Sequence, residues 1–225
     1  MPQMRIRTAI WIIIKGNIIM FEAVKWLFFD VGSTLIDEHE AYVHRFRDIA
    51  SQAGIPYELV SGTAVAYYME NKPGDKECAK HFGTSLPKWH TEDERLYPDA
   101  ACCLAALSKK YKIGIIANQL PGTAERLARH GVLQYIDLVV SSAEEGVAKP
   151  DPRIFEIALN RGGCLPEECI MIGDRIDNDI LPANQMGMHT IWIRQGFGQY
   201  WNISSKSETP DATVLTLTDL SDLLL

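Results

Sequence analysis

The chain has no CxxC pair, no basic run and no apolar stretch of bilayer-spanning length. Its five cysteines are odd in number, and Cys102 and Cys103 are neighbours in a helical pattern. That argues against a disulfide framework or a zinc site and favours reduced thiols in a cytoplasmic protein. Net charge is −7, so a nucleic-acid partner held by a basic field is not expected. The apolar segment Ala9–Ile14 follows Arg5 and Arg7 but is broken by Lys15, Gly16 and Asn17, which suits neither a membrane span nor a cleavable signal. Residues 1–19 are read as an N-terminal extension, with Met20 a possible alternative start.

What is present is a strand–helix alternation. Short apolar strands are expected at Tyr111–Ala117, Ile136–Ser141, Cys169–Gly173, His189–Arg194 and Ala212–Leu215. Helices are expected at Pro98–Lys110, Pro121–His130, Pro152–Arg161, Asp179–Met186 and Leu217–Leu224, with Gly131, Gly162 and Gly187 at helix ends. Short links between such units imply an α/β fold with a doubly wound parallel sheet. The stretch from Glu38 to Tyr97 differs: it holds helical segments at Glu40–Ala53, Tyr57–Glu70 and Asp75–Phe82 and no convincing strand. The expected organisation is a core of residues 20–37 and 98–225, with an inserted helical cap at 38–97.

Four strand ends carry functional groups. The first is Trp26-Leu27-Phe28-Phe29-Asp30-Val31-Gly32-Ser33-Thr34, where a carboxylate ends an apolar run and opens a turn. In an open α/β sheet that position faces the ligand crevice, and an aspartate there can be a covalent nucleophile. The second is Asn118, after Ile115-Ile116-Ala117. The third is Lys149-Pro150-Asp151-Pro152, where prolines fix a lysine before a helix and make it a candidate charge clamp. The fourth is Gly173-Asp174-Arg175-Ile176-Asp177-Asn178-Asp179. Strand-terminal acids placed side by side call for a cation, and Mg²⁺, with few carboxylates and a substrate phosphate, fits.

In this order and spacing the four stretches resemble the haloacid dehalogenase superfamily of hydrolases, over nearly all of residues 24–215. The resemblance implies a Rossmann-like sheet of order 3-2-1-4-5 with a small helical cap. It implies Asp30 as nucleophile on phosphorus and Lys149 as its partner. Gly32, Ser33, Asn118 and Lys149 would contact phosphate. Mg²⁺ would be bound by Asp30, the Gly32 carbonyl, Asp174 and Asp179, and Thr34 would help fix the turn. The implied activity is hydrolysis of a small phosphorylated metabolite by a monomer or homodimer with no membrane partner.

Two positions depart from the family pattern. Its phosphatases carry an acid two residues after the nucleophile, and here that residue is Gly32. They also carry a Ser or Thr hydroxyl where this chain has Ala117. A lost general acid–base costs about 10²–10⁴-fold in rate. Asp37, Glu38, His39 and Asp177 are candidate substitutes. A weakly active or non-catalytic phospho-ligand binding protein is the alternative. Dehalogenase chemistry fits less well because the family's dehalogenases lack the metal acid that Asp174 supplies here. A phosphonate hydrolase would need a cap lysine, such as Lys72, Lys76 or Lys80.

Overall fold

The computed structural model describes residues 21–225. The extension read at residues 1–19 and the alternative start at Met20 lie outside them.

The first strand, β1 (Trp26–Phe29), runs straight into Asp30. A two-residue strand, β2 (Ile36–Asp37), then leads into three helices, α1 (His39–Ala53), α2 (Tyr57–Met69) and α3 (Gly74–His81). The chain returns through β3 (Arg95–Leu96), antiparallel to β2. Strand β3 corrects the expectation of no convincing strand between Glu38 and Tyr97. At two residues per strand the pair is too short to show a side-chain period, and the pairing is decided by residues far apart in sequence.

From there strand and helix alternate: α4 (Ala100–Leu107), β4 (Lys112–Ala117), α5 (Thr123–Arg129), β5 (Leu138–Ser141), α6 (Ser142–Glu145), α7 (Pro152–Gly162), β6 (Cys169–Gly173), α8 (Leu181–Gln185), β7 (His189–Ile193), β8 (Ala212–Val214) and α9 (Leu217–Leu224). Six strands form one parallel sheet in the order β5-β4-β1-β6-β7-β8. The doubly wound α/β fold is therefore as expected, with β8 as a sixth strand beyond the order 3-2-1-4-5.

The period-two alternation of β1 explains the layering. Leu27 and Phe29 join Ile113, Ile115, Ile170 and Ile172 on one face, under α4 and α9. Phe28 joins Ile116 and Met171 on the other, under α7. Both faces are covered, so the strands are apolar at nearly every position. The α7 start follows its sequence: Pro152 is the first helical residue and the Asp151 carboxylate accepts the Arg153 N–H. Its end is one residue later than expected, with Gly163 rather than Gly162 taking the left-handed conformation (φ 61°). The helix expected at Asp179–Met186 is preceded by a wide turn of π type over Ile176–Ile180, which moves Asp179 out of the α-helix proper.

A separate apolar cluster joins the three inserted helices. Phe46 and Ile49 of α1, Val60 and Tyr68 of α2 and Cys78 of α3 pack with Ile176, Ile180, Trp192 and Trp201 from the sheet side. Phe197 is stacked on Tyr68 (centroids 4.9 Å apart) and meets Tyr42 edge-on. Among the described residues no helix is long and apolar enough to cross a membrane.

Candidate active site

Parallel pairing of β1 with both β4 and β6 puts Asp30, Ala117 and Asp174 at one edge of the sheet, the carboxyl end. The Asp30 N–H donates to the Ile172 carbonyl (2.9 Å), which fixes the last turn of the strand beside the one that carries Asp174. The chain then folds tightly: the Val31 carbonyl accepts from the N–H groups of Thr34, Leu35 and Ile36. Ser33 takes a left-handed conformation (φ 53°), uncommon for a residue with a Cβ and held here within a buried turn.

Lys149 is 5% exposed and reaches two acids at once. Its ammonium donates to Asp30 Oδ1 at 2.7 Å and to Asp179 Oδ1 at 2.6 Å. Burial pulls its pKa down, but Asp179 and Asp30 outweigh that and the net direction is up. Asn118 fixes Lys149 by the backbone: its Oδ1 accepts the Lys149 N–H (2.7 Å) and its Nδ2 donates to the Lys149 carbonyl (2.8 Å). Both polar ends of Asn118 are thus engaged with Lys149.

Asp30, Asp174 and Asp179 bring carboxylate oxygens within 4.8 Å of one another, all buried. Burial, then Asp179 and Asp30, push Asp174 well above the ordinary carboxylate range. Asp179 is pushed up to about 6, with burial outweighing the opposing pull of Lys149. Its Oδ2 also accepts the Arg175 N–H (3.0 Å). The absence of a side chain at Gly173 is what makes room for this carboxylate, since a Cβ there would overlap it. Against the three acids stands one buried ammonium, which leaves two negative charges for a divalent cation to balance. The donor set is all oxygen, as a hard cation requires. A second cluster that could hold a metal, His44, His90 and Asp93, lies on the inserted segment. There the two ring nitrogens of His90 are already engaged by Glu92 (2.9 Å) and Asp48 (3.3 Å).

The three acids and Lys149 line a cavity of about 720 Å³ between the sheet edge and the inserted helices. Gly32, Ser33 and Asn118 line it too. So every residue singled out for catalysis, phosphate or metal borders this one space. Of the candidate substitute acids, Glu38 and Asp177 border it and Asp37 and His39 do not. Asp177 is committed to Arg175 by two hydrogen bonds (2.8 and 2.7 Å). Among the described residues, Glu38 accepts only from Ser33 Oγ (3.2 Å). Burial first, then Asp30 and Glu94, push the Glu38 carboxyl up to about 8. Thr34 lies in the turn, and its buried hydroxyl has no hydrogen-bond partner among the described residues.

Sequence reasoning missed several wall residues. Arg126 comes from α5 and lies 3.7 Å from buried Glu94, with no motif to mark either. Arg45 of α1 is 9% exposed, paired with Asp75 (2.6 Å) and set over the Trp89 ring. The i, i+3, i+4 apolar pattern of α1, with Ala41, Phe46 and Ile49 buried, was the available signal that Arg45 shares the inward face.

The profile of haloacid dehalogenase-like hydrolases matches residues 24–187. A glyceraldehyde 3-phosphate phosphatase of Pyrococcus furiosus is 30% identical, over 89% of this chain and 93% of its own. The chain belongs to the haloacid dehalogenase-like hydrolase family. A glyceraldehyde 3-phosphate phosphatase of Methanopyrus kandleri is 37% identical over 57% of this chain, and the match spans only 56% of that relative's length. Among solved structures, a haloacid dehalogenase-family phosphatase of Thermococcus onnurineus superposes with a TM-score of 0.62 at 23% identity, covering 89% of this chain and 98% of that one. This structural likeness shows the family fold, and the named relatives show a hydrolase family rich in phosphatases.

Proposed function

We propose that this hydrolase is a Mg²⁺-dependent phosphatase that cleaves the phosphate monoester of a small metabolite through an aspartyl-phosphate on Asp30. The observation that carries the reading is the Asp30–Lys149–Asp179 bridge beside Asp174, in a cavity large enough for a small phosphorylated molecule. The phosphatase names of the relatives favour the same substrate class.

Asp30 Oδ2 is the oxygen left to attack, since Lys149 holds Oδ1. Lys149 orients the nucleophile and offers its positive charge to the phosphoryl oxygens, which is much of what phosphoryl transfer asks of a protein. Mg²⁺ bound by Asp30, the Gly32 carbonyl and Asp174 would supply the further positive charge that lets a dianionic ester approach a carboxylate. Asp179 fits an orienting place around that ion, because Lys149 and the Arg175 N–H already occupy its two oxygens. Asn118 acts as the clamp on Lys149, and Ser33 helps shape the phosphate end. We take residues 20–37 and 98–225 as the catalytic core and 38–97 as the substrate-selecting cap, which brings Tyr42, Arg45 and Trp89 to the cavity.

The test is a screen of phosphorylated metabolites with and without Mg²⁺. Turnover of at least one monoester, dependent on the ion and lost in Asp30→Asn, is the expected result. Mg²⁺-dependent ligand affinity with no turnover would replace this reading by a binding protein, the role that Gly32 and Ala117 favour.

A further inference from the structure

Transfer of a phosphoryl group from an ester leaves an alkoxide that needs a proton, and the water that later frees the phosphate must lose one. Six carboxyl groups line the cavity: Asp30, Glu38, Asp75, Asp174, Asp177 and Asp179. Asp30 and Asp179 are bonded to Lys149, Asp75 to Arg45 and Asp177 to Arg175. Asp174 belongs to the acid trio that fits a cation. Among the described residues, Glu38 alone of the six has no cationic hydrogen-bond partner and no place in that trio; the hydrogen bond it accepts comes from Ser33 Oγ.

Its position is specific. A Cβ built on Gly32 would lie 2.5 Å from Glu38 Oε1, 2.7 Å from Oε2 and 2.8 Å from Cδ. The Glu38 carboxyl therefore fills the space that a side chain at position 32 would enter. The route is set by the fold: the turn after Asp30 and the short β2 strand carry the chain back over Gly32 before α1 begins. Ser33, in its left-handed conformation, aims its hydroxyl at the same carboxyl.

We propose that Glu38 is the proton-carrying catalytic residue of this site, supplied from the start of the inserted segment in place of a side chain at Gly32. This rests on the phosphatase reading above. In the first step an Asp30 oxygen bonds to phosphorus, the P–O bond to the leaving group breaks, and the electron pair goes to the departing oxygen. That oxygen takes the proton of the Glu38 carboxyl and leaves as an alcohol. In the second step a water oxygen bonds to phosphorus, the P–O bond to Asp30 breaks, and the Glu38 carboxylate takes a water proton. Phosphate leaves, with Asp30 ionised and Glu38 protonated as at the start.

The experiment compares kcat/KM of the full chain in Mg²⁺ on p-nitrophenyl phosphate and on glycerol phosphate, for the wild type, Glu38→Gln, Glu38→Ala and the double variant Gly32→Asp/Glu38→Ala. Nitrophenolate leaves without help, whereas the alkoxide needs a proton. Glu38→Gln is expected to cost about 10²–10⁴-fold on the alkyl ester and at least tenfold less on the aryl ester. The double variant, with the clash removed and an acid restored from position 32, is expected to regain alkyl-ester activity that Glu38→Ala lacks. Equal losses on both esters, or none, in an active protein overturn the role of Glu38 and leave the phosphatase reading standing. A wild type inactive on both esters and on the metabolite screen overturns both. Thermal unfolding of each variant identifies any misfolded one, and the double variant then decides: alkyl-ester activity below that of Glu38→Ala overturns the proposal.

Discussion

Around Asp30, a lysine is driven between two acids and a third stands beside them; by contrast, Glu38 meets only a neutral hydroxyl, that of Ser33, among the described residues, and Glu94 lies 3.7 Å from Arg126. The first group hangs on backbone. Asp30 and Asp174 end neighbouring strands, Lys149 is held by Asn118 through its own peptide groups, and Asp179 is seated on the missing side chain of Gly173. The second group hangs on side chains alone: Ser33 to Glu38, Trp89 to Glu94 (2.7 Å) and Arg126 to Glu94. A site that must fix a nucleophile and a charge clamp benefits from the rigid half. A group that must give and take a proton on a moving substrate suits the softer one.

Breaking the rigid half should have the largest effect. Lys149→Met leaves Asp30 and Asp179 buried without their shared cation. Removing one partner of such a buried pair costs about 3–5 kcal/mol. Chemical denaturation without metal is expected to show that loss, and turnover should disappear even in saturating Mg²⁺. A variant that is as stable as the parent would mean that Lys149 is not the charge balance of the trio.

A smaller effect separates the halves by pH. Glu38, Asp174 and Asp179 all have pKa values raised by folding, so the folded protein holds more protons than the unfolded chain above the ordinary carboxylate range. Their contribution to stability is fully present below about pH 4 and is lost as pH rises through about 6 for Asp179 and about 8 for Glu38. In EDTA the melting temperature should therefore fall between pH 5 and 8. Saturating Mg²⁺ should remove the part due to Asp174 and Asp179, because a cation favours their ionised forms. Glu38→Gln should remove the remaining part. A flat profile in EDTA would refute the burial of these acids as a source of strain.

The same division governs what could be read from the chain. Asp30 and Asp174 were legible because each ends an apolar run whose pattern fixes its direction, and parallel pairing does the rest, whereas Lys149 was legible from the prolines that fix it before a helix. The order of five strands was legible only through the family resemblance, since an apolar pattern marks strands without ordering them. Glu38 was visible as a residue, but nothing local distinguishes it from Asp37 or His39. Its place depends on the β2–β3 pairing, which spans about sixty residues of chain and has no periodic signal of its own. Arg126 and Glu94 meet only once α5 and the returning segment are in place, so no spacing announces them.

The smallest perturbation is the sharpest test of the softer half. Gly32 has an ordinary negative φ, so alanine there meets no backbone strain. What it meets is the Glu38 carboxyl, the far end of a flexible side chain, at 2.5 Å. A χ rotation of Glu38 relieves that contact at a cost of about 1 kcal/mol or less, since the carboxyl gives up only one hydrogen bond from Ser33. Gly32→Ala should therefore unfold within about 1 kcal/mol of the parent, and Mg²⁺ affinity should hold, because the Asp30–Lys149–Asp179 bridge is untouched. Alkyl-ester kcat/KM should nonetheless fall at least tenfold, since the rotation takes the carboxyl away from the cavity. A methyl group that changes neither stability nor metal binding but slows only the esters with poor leaving groups would separate proton transfer from charge balance. A methyl group that slows nothing would show that the space at Gly32 is filled for packing alone.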